Sequence, residues 1–244
     1  MTARVGLIIP SSNRMVEAEM VPAFPAGVAG HVTRLRMTGT NHLAFDQLLP
    51  RIEDAARALT DARSEVVVFH CTANSMEGGK TGEEQILAAL AQAGAPRAST
   101  TITAIQRAFS ALGARRIVLI TPYSVSTTEH EADFLRKAGY DVLSAQGFAL
   151  DGSDAYCRTP SQFWYDRVVA ARRPDAYLIS CANISVFGVI DDLEARLERP
   201  IVTSNQAVIW EALRLIGWRA PPRHLGRLFA TSFAGEAVHA VSAG

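Results

Sequence analysis

The chain of 244 residues repeats its own pattern once along its length. An apolar run ending in Ile9-Pro10 has a counterpart ending in Thr121-Pro122, with the second proline 112 residues after the first. The segment His70-Cys71-Thr72 has a counterpart in Ser180-Cys181-Ala182, 110 residues later. Repetition at a nearly constant offset predicts two similar structural units. We place these units at residues 1–113 and 114–218, followed by a C-terminal tail at 219–244.

Short apolar, β-branched runs bounded by turn residues alternate with helical patterns in both units. Near-continuous apolar strands that alternate with helices are typical of parallel sheets covered on both faces. The fold class is therefore predicted to be α/β, with two pseudo-symmetric halves. Each half is a parallel four-stranded sheet flanked by helices, and the active site lies in the cleft between them. The predicted strands are 5–9, 65–69, 117–120 and 176–179, with weaker candidates at 32–37, 140–143 and 201–202.

Charge and cysteine content restrict the classes of partner. Lys plus Arg and Asp plus Glu both number 24, so the basic excess typical of nucleic-acid-binding proteins is missing. No apolar run is long enough to predict a membrane span. Three cysteines do not form a disulfide framework and favour free thiols in a reducing cytoplasm. Small enzymes of this kind commonly form symmetric assemblies, so we expect a homo-oligomer.

The residues that follow the predicted strands are the candidates for substrate binding, because ligands of parallel sheets bind beyond the carboxyl ends of the strands. These residues carry hydroxyls, amides and thiols but no charged side chain. Backbone N–H groups and hydroxyls at such positions can hold a small carboxylate without Arg or Lys. The candidate substrate-binding residues are Ser11, Ser12, Asn13, Thr72, Ala73, Asn74, Tyr123, Ser124, Ala182 and Asn183.

Cys71 and Cys181 occupy matching positions of the repeat, so pseudo-twofold symmetry predicts that they face each other across the cleft. A single cysteine after a buried strand is commonly an inert core residue, but a matched pair suits acid–base or nucleophilic chemistry on a small substrate. Helix N-termini would lower the thiol pKa below its usual value of about 8.5. Cys157 has no counterpart in the repeat and is predicted to be structural. The cysteine spacing does not fit a metal site.

These segments resemble the aspartate/glutamate racemase superfamily, in particular the branch of maleate cis-trans isomerases and arylmalonate decarboxylases. The resemblance covers residues 5 to 217 and rests on the segment from Val5 to Met20, on Cys71 with Gly78-Gly79, on Thr121-Pro122-Tyr123 and on 179–182. It implies a cofactor-independent isomerase in which Cys71 adds as a thiolate to the double bond of a small cis-dicarboxylate such as maleate. Cys181 then protonates the neighbouring carbon, and no metal, flavin or nicotinamide takes part.

Two other functions remain open at this stage. In the branch that the chain resembles, arylmalonate decarboxylases have only the second of the two cysteines. The resemblance therefore implies that a chain with cysteine at both positions, 71 and 181, is an isomerase or a racemase. A cofactor-independent racemase or decarboxylase of a small carboxylic acid is the alternative enzyme. A non-catalytic sensor that clamps a small carboxylate between the halves is the alternative from another class. Polar residues at 72–74 and Asn183 would suit a substrate with an additional hydroxyl or amide.

Overall fold

Two parallel four-stranded sheets of the same topology form the framework of the protein. The computed structural model describes residues 2–37, 44–220, 222 and 224–231. The strand orders are β2-β1-β3-β4 and β6-β5-β7-β8, and all neighbouring strands pair in parallel. The strands are β1 (Ala3–Pro10), β2 (Val28–Leu35), β3 (Val66–Phe69), β4 (Ala98–Thr100), β5 (Arg116–Thr121), β6 (Asp141–Gly147), β7 (Ala176–Ile179) and β8 (Ile201–Thr203).

Helices connect the strands of each sheet and cover its faces. They are α1 (Phe45–Asp61), α2 (Thr72–Met76), α3 (Gly79–Gln92), α4 (Thr101–Leu112), α5 (Val125–Lys137), α6 (Gly152–Arg158), α7 (Ser161–Val169), α8 (Phe187–Leu197) and α9 (Ser204–Leu215). Short 3₁₀ turns at Val21–Ala23 and Arg227–Ala230 and a π-helical turn at Val16–Met20 complete the described elements. The predicted fold class, two pseudo-symmetric halves with parallel four-stranded sheets, is confirmed.

Matching helices close the two halves, and each begins at a threonine cap. The Thr100 side chain accepts a hydrogen bond from Thr103 N at the start of α4. The Thr203 side chain caps α9 and forms a capping box with Gln206. These bonds satisfy backbone donors that the first helical turn would leave without partners. α4 is followed by Gly113, which adopts a left-handed conformation that costs glycine little.

One apolar core joins the two halves. Alternate residues of β1 point to different faces of the first sheet, so Val5, Leu7 and Ile9 lie in this shared core while Ile8 faces the outer helices. β5 is arranged in the same way within the second sheet. α4 and α9 pack against each other between the sheets and contribute apolar side chains to the shared core. The cleft between the halves is thus held in place by a continuous apolar layer.

The predicted C-terminal tail is partly integrated into the core. Leu225, Leu228 and Phe229 are buried and belong to the shared core. Residues 232–244 of the predicted tail lie outside the described residues. The domain limits at 113 and 218 stay a prediction. None of the helices in the described ranges has the length and apolarity that a bilayer crossing would require.

Candidate active site

Cys71 lies at the carboxyl end of the central strand β3 and caps the five-residue helix α2. Its thiol donates a hydrogen bond to Asn74 Oδ1 at 3.2 Å. Asn74 Nδ2 in turn donates to Glu77 Oε2 at 3.1 Å, which fixes the direction of the Asn74 amide. The carbonyl oxygen of Asn74 therefore faces the Cys71 sulfur and favours its protonated form.

Cys181 lies at the equivalent end of β7, but its surroundings differ from those of Cys71. The backbone N–H of Asn183 donates to the Cys181 sulfur at 3.3 Å. The Tyr123 hydroxyl also hydrogen-bonds to this sulfur. Both contacts are donors that stabilise a thiolate, whereas the side-chain contact of Cys71 is an acceptor.

Both thiols line a single cavity of about 100 Å³ between the halves. This volume is well below the range of roughly 300 Å³ and above that is typical of sites for drug-sized ligands, so the cavity fits a small molecule. Its wall, within the described residues, carries no charged side chain. The lining residues are Pro10, Ser12, Asn13, Met37, Cys71, Thr72, Ala73, Asn74, Tyr123, Ser153, Tyr156, Cys181, Ala182 and Asn183.

A serine at the start of α9 ties the two cysteine loops together. Ser204 Oγ accepts a hydrogen bond from Cys181 N at 3.2 Å and another from the Thr72 hydroxyl at 3.0 Å. All three residues are buried. The spacing of the two thiols is therefore coupled to the packing of α9 in the shared core.

Asn13 and Asn183 line the cavity, but their amides are occupied by bonds between loops. Asn13 Nδ2 donates to Ala182 O at 2.8 Å, and Asn13 Oδ1 accepts from the N–H groups of Met15 and Val16. Asn183 Oδ1 accepts from Arg14 N at 2.8 Å, and its Nδ2 donates to Ser153 O at 3.0 Å. The two side chains hold the halves in register and leave few free donors for a substrate.

Two predicted binding residues do not reach the cavity. Ser11 donates its hydroxyl hydrogen to Met37 O at 3.0 Å, which joins the ends of β1 and β2. Ser124 caps α5 by accepting from Thr127 N at 3.2 Å. Residues that directly follow a strand serve as helix caps or loop anchors as readily as they bind ligands. The other predicted candidates, from Ser12 to Asn183, are brought together at the cavity wall.

Four cavity residues were missed in the sequence. Met37 follows the edge strand β2, and Ser153 and Tyr156 belong to α6, which follows β6. The rule that identified the cysteine loops also applies to these strand ends, but β2 and β6 were weak predictions and α6 was not predicted. Pro10, the fourth, was counted among the residues that follow the first strand but not among the candidate substrate-binding residues.

Burial dominates the electrostatics of both thiols. It raises the pKa of Cys71 to about 12 and that of Cys181 to about 11. The Asn74 N–H opposes this rise at Cys71, and the Tyr123 hydroxyl and Asn183 N–H oppose it at Cys181, but desolvation is larger. We expected the thiol pKa values to lie below the usual value, and this expectation was wrong. The N–H groups do lower them, but burial raises them by more. Burial also raises the pKa of Tyr123, so its phenol stays a neutral donor.

Comparison with known proteins gives a consistent assignment. Arylmalonate decarboxylase from Bordetella bronchiseptica is 28% identical over 239 residues, covering 95% of this chain and 98% of that protein. Maleate isomerase from Nocardia farcinica is 26% identical over 243 residues, covering 92% and 94%. The structure of a cysteine-to-serine variant of the Nocardia farcinica maleate cis-trans isomerase, with a covalently bound succinylcysteine intermediate, has the same fold. Its TM-score is 0.86 at 21% identity, covering 94% of this chain and 98% of that one.

The family profile for arylmalonate decarboxylase matches residues 5–229, which is nearly the whole chain and includes both cysteine loops. The fold and the predicted resemblance agree with this match. The chain belongs to the arylmalonate decarboxylase family.

Proposed function

We propose that the protein is a cofactor-independent cis-trans isomerase of a small unsaturated dicarboxylate of the maleate type. The observation that carries the proposal is the placement of two thiols, from opposite halves, on the wall of one small cavity. The 26% identity to a maleate isomerase supports it. In the related isomerase, a succinylcysteine is the form expected when a cysteine has added to maleate.

The proposed reaction uses each thiol for one half of the chemistry. The Cys71 thiolate forms an S–C bond with one alkene carbon, and the π electrons take the proton of the Cys181 thiol at the neighbouring carbon. Rotation about the resulting single bond brings the carboxylates to the trans arrangement. The Cys181 thiolate then removes the proton, the S–C bond breaks, and fumarate leaves with Cys71 again a thiolate. No proton or electron is gained or lost overall.

We assign the substrate carboxylates to the neutral donors of the cavity wall. Ser12 carries a hydroxyl there that accepts a hydrogen bond from Ser153, and Ala73 and Ala182 offer backbone N–H groups close to the cysteines. The hydroxyls of Thr72 and Tyr123 also face the cavity, but they bond to Ser204 and to the Cys181 sulfur and would have to turn towards a substrate. Donors that face the developing enediolate charge in a small, buried site stabilise it more strongly than water does. Asn74 and Asn183 complete the wall, and Asn13 acts mainly by holding the Cys181 loop.

The test is proton NMR of maleate in deuterated buffer without added cofactor. The wild type is expected to produce the fumarate signal. In Cys71→Ala and in Cys181→Ala, the rate of fumarate formation is expected to fall by at least about a thousandfold, because each variant lacks a catalytic nucleophile or acid. Cys157→Ala is the matched control, since Cys157 lies on α6 and does not line the cavity, and it should retain the activity. An active Cys71→Ala variant would contradict the mechanism.

Decarboxylation of an arylmalonate is the second candidate function. The 28% identity to arylmalonate decarboxylase and the apolar wall residues Pro10, Met37 and Tyr156 favour it. The same NMR assay with phenylmalonate separates the two proposals. Release of phenylacetate that survives Cys71→Ala and disappears in Cys181→Ala would establish the decarboxylase, because protonation after loss of CO₂ needs one thiol only.

From the sequence we further propose a homo-oligomer that works in the cytoplasm. Size-exclusion chromatography with light scattering tests the first proposal, and cell fractionation tests the second. A monomer in solution would overturn the proposed assembly without affecting the proposed chemistry.

A further inference from the structure

His70 is a fully buried side chain between β3 and Cys71 that the proposed chemistry does not use. Its ring is not part of the cavity wall and lies against the first residues of α4 and α9. Nδ1 is 3.0 Å from Thr101 Oγ1, and Nε2 is 2.9 Å from Asn205 Oδ1. Thr101 follows a strand of the same sheet as His70, whereas Asn205 follows a strand of the other sheet. The ring therefore makes one bond within its own half and one bond between the halves.

The partners of the ring fix its protonation state. Burial lowers the pKa of His70 to about 4, so the ring is neutral at neutral pH and carries a single N–H. A carbonyl oxygen can only accept a hydrogen bond, so the hydrogen lies on Nε2 and is donated to Asn205. Nδ1 then accepts from the Thr101 hydroxyl. Both nitrogens are satisfied by one tautomer, and the bond between the halves is the one that uses the N–H.

The two residues at the start of α9 hold both chain neighbours of Cys71. Asn205 binds His70, which precedes Cys71. Ser204 accepts hydrogen bonds from the hydroxyl of the residue that follows Cys71 and from the backbone N–H of Cys181. Cys71 is therefore anchored on both sides to the same pair of residues that anchors the other thiol.

These hydrogen bonds supply a directionality that the packing between the halves lacks. α4 and α9 pack against each other through apolar side chains of the shared core. Apolar burial is non-directional, so it holds the helices together without fixing their register. A buried hydrogen-bonded pair can be replaced by apolar groups of the same shape at little cost, so stability alone does not explain the pair. Fully satisfied buried polar networks instead specify one arrangement of the groups around them.

We propose that His70 is a positioning residue whose hydrogen bond to Asn205 fixes the separation of the Cys71 and Cys181 sulfurs. The inference deepens the proposed function, because the separation of the thiols matters where both act on one small substrate. The bond between the halves controls this separation, and the bond to Thr101 only orients the ring.

The test measures the separation of the thiols and needs no substrate. In the Cys157→Ala protein, 1,3-dibromoacetone alkylates one thiol and then the other, and each new S–C bond releases one bromide and one proton. Peptide mass spectrometry gives the ratio of protein cross-linked between Cys71 and Cys181 to singly alkylated protein. Because the second alkylation is intramolecular, this ratio reports how well the spacing of the thiols matches the short reagent.

Two variants at position 70 separate the two bonds of the ring. The side-chain amide of Gln reaches the place of Nε2, whereas the shorter amide of Asn reaches only the place of Nδ1. His70→Asn is therefore expected to lower the cross-linking ratio roughly fivefold, the change expected for one net hydrogen bond, and His70→Gln should largely retain the ratio. Asn205→Ala should lower it as His70→Asn does. Thr101→Val, which removes only the bond within the first half, is the matched control and should leave the ratio unchanged.

A second measurement uses the protein without a substitution. Nitrogen-15 NMR of the histidine side chains, assigned through the backbone of His70, is expected to show the Nε2–H tautomer. An Nδ1–H tautomer, an unchanged ratio in folded His70→Asn, or an equal loss in His70→Gln or Thr101→Val would each overturn the proposal. Failure of maleate turnover beside the expected cross-linking ratios would overturn the proposed function and leave the role of His70 in thiol spacing valid.

Discussion

The two thiols differ at the level of single atoms although they occupy equivalent positions of the repeat. The Cys71 thiol donates a hydrogen bond to a side-chain carbonyl, and the Cys181 sulfur accepts hydrogen bonds from an N–H and a phenol. Burial nevertheless raises the pKa of both, to about 12 and about 11. The resting cavity therefore holds two neutral thiols at neutral pH, and the reactive thiolate is a minor species.

This leads to a prediction for the pH dependence of the reaction. The ionised fraction of a thiol with a raised pKa grows tenfold for each pH unit while the pH stays below that pKa. We expect kcat/KM for maleate to rise by roughly tenfold per unit between about pH 7 and about pH 9, a range well below both values. Initial rates across this range, with circular dichroism as a control for folding, check the prediction. A rate that is already constant above neutral pH would show that the thiolate is preformed.

At the residue scale, the strand-end rule predicted that Cys71, Tyr123 and Cys181 lie near one cleft, and the structure places all three on the wall of one cavity. Their roles stay a prediction. The occupied amide of Asn13 could not be predicted, since its partner Ala182 O belongs to the other half. The net pKa direction was missed for a related reason, because burial depends on packing from both halves.

At the scale of elements, Gly147 allows β6 to end against the loop that carries Tyr123. A Cβ atom at this position would lie 2.3 Å from Thr128 Oγ1, 2.8 Å from Tyr123 O and 3.0 Å from Ser124 O. The first two distances are shorter than Cβ contacts in real structures, so the loop or the strand must move. The absence of a side chain at Gly147 thus helps to place the Tyr123 hydroxyl against the Cys181 sulfur.

We therefore predict that Gly147→Ala lowers the free energy of unfolding by about 1–3 kcal/mol, the usual cost of overpacking, and slows the reaction. Gly188→Ala is the matched control, because a Cβ at Gly188 in α8 meets no atom within 4 Å. Urea denaturation followed by fluorescence measures the stability of both variants. Equal stability of the two would contradict the structural role of Gly147.

Element prediction succeeded where apolar periodicity was strong and failed where elements are short or exposed. The buried strands β1, β3, β5 and β7 were predicted within one or two residues of their bounds. α6 has no buried residue and therefore no apolar pattern from which to predict it. It is nevertheless the element that brings Ser153 and Tyr156 to the cavity.

At the scale of the whole molecule, the shared core makes the two halves mutually dependent. Ile105 and Phe109 of α4 pack in the same cluster as Val208 and Ala212 of α9. Separating the halves would expose this surface to water, at a cost of about 25 cal/mol per Å² of apolar area. The repeat visible in the sequence predicted similar halves, but it could not indicate that their cores are continuous.

Accordingly, we expect the protein to unfold in one cooperative transition. Urea curves from tryptophan fluorescence and far-UV circular dichroism should coincide, and residues 1–113 expressed alone should fail to give a stable native fold. Heteronuclear NMR of the isolated segment provides the control for residual structure. Two separate transitions, or a well-dispersed spectrum of residues 1–113, would show that the halves are independent domains.

The packing of α4 on α9 also has a consequence during synthesis on the ribosome. α4 ends at Leu112 and its partner helix begins at Ser204, so the intervening chain must be made before the two helices can meet. At a synthesis rate of roughly 5–20 residues per second, the apolar face of α4 stays exposed for about 5–20 s before α9 has been made and can pack against it. Nascent chains of this protein are therefore natural clients for chaperones that bind exposed apolar helices, and overproduction without them favours aggregation of the first half.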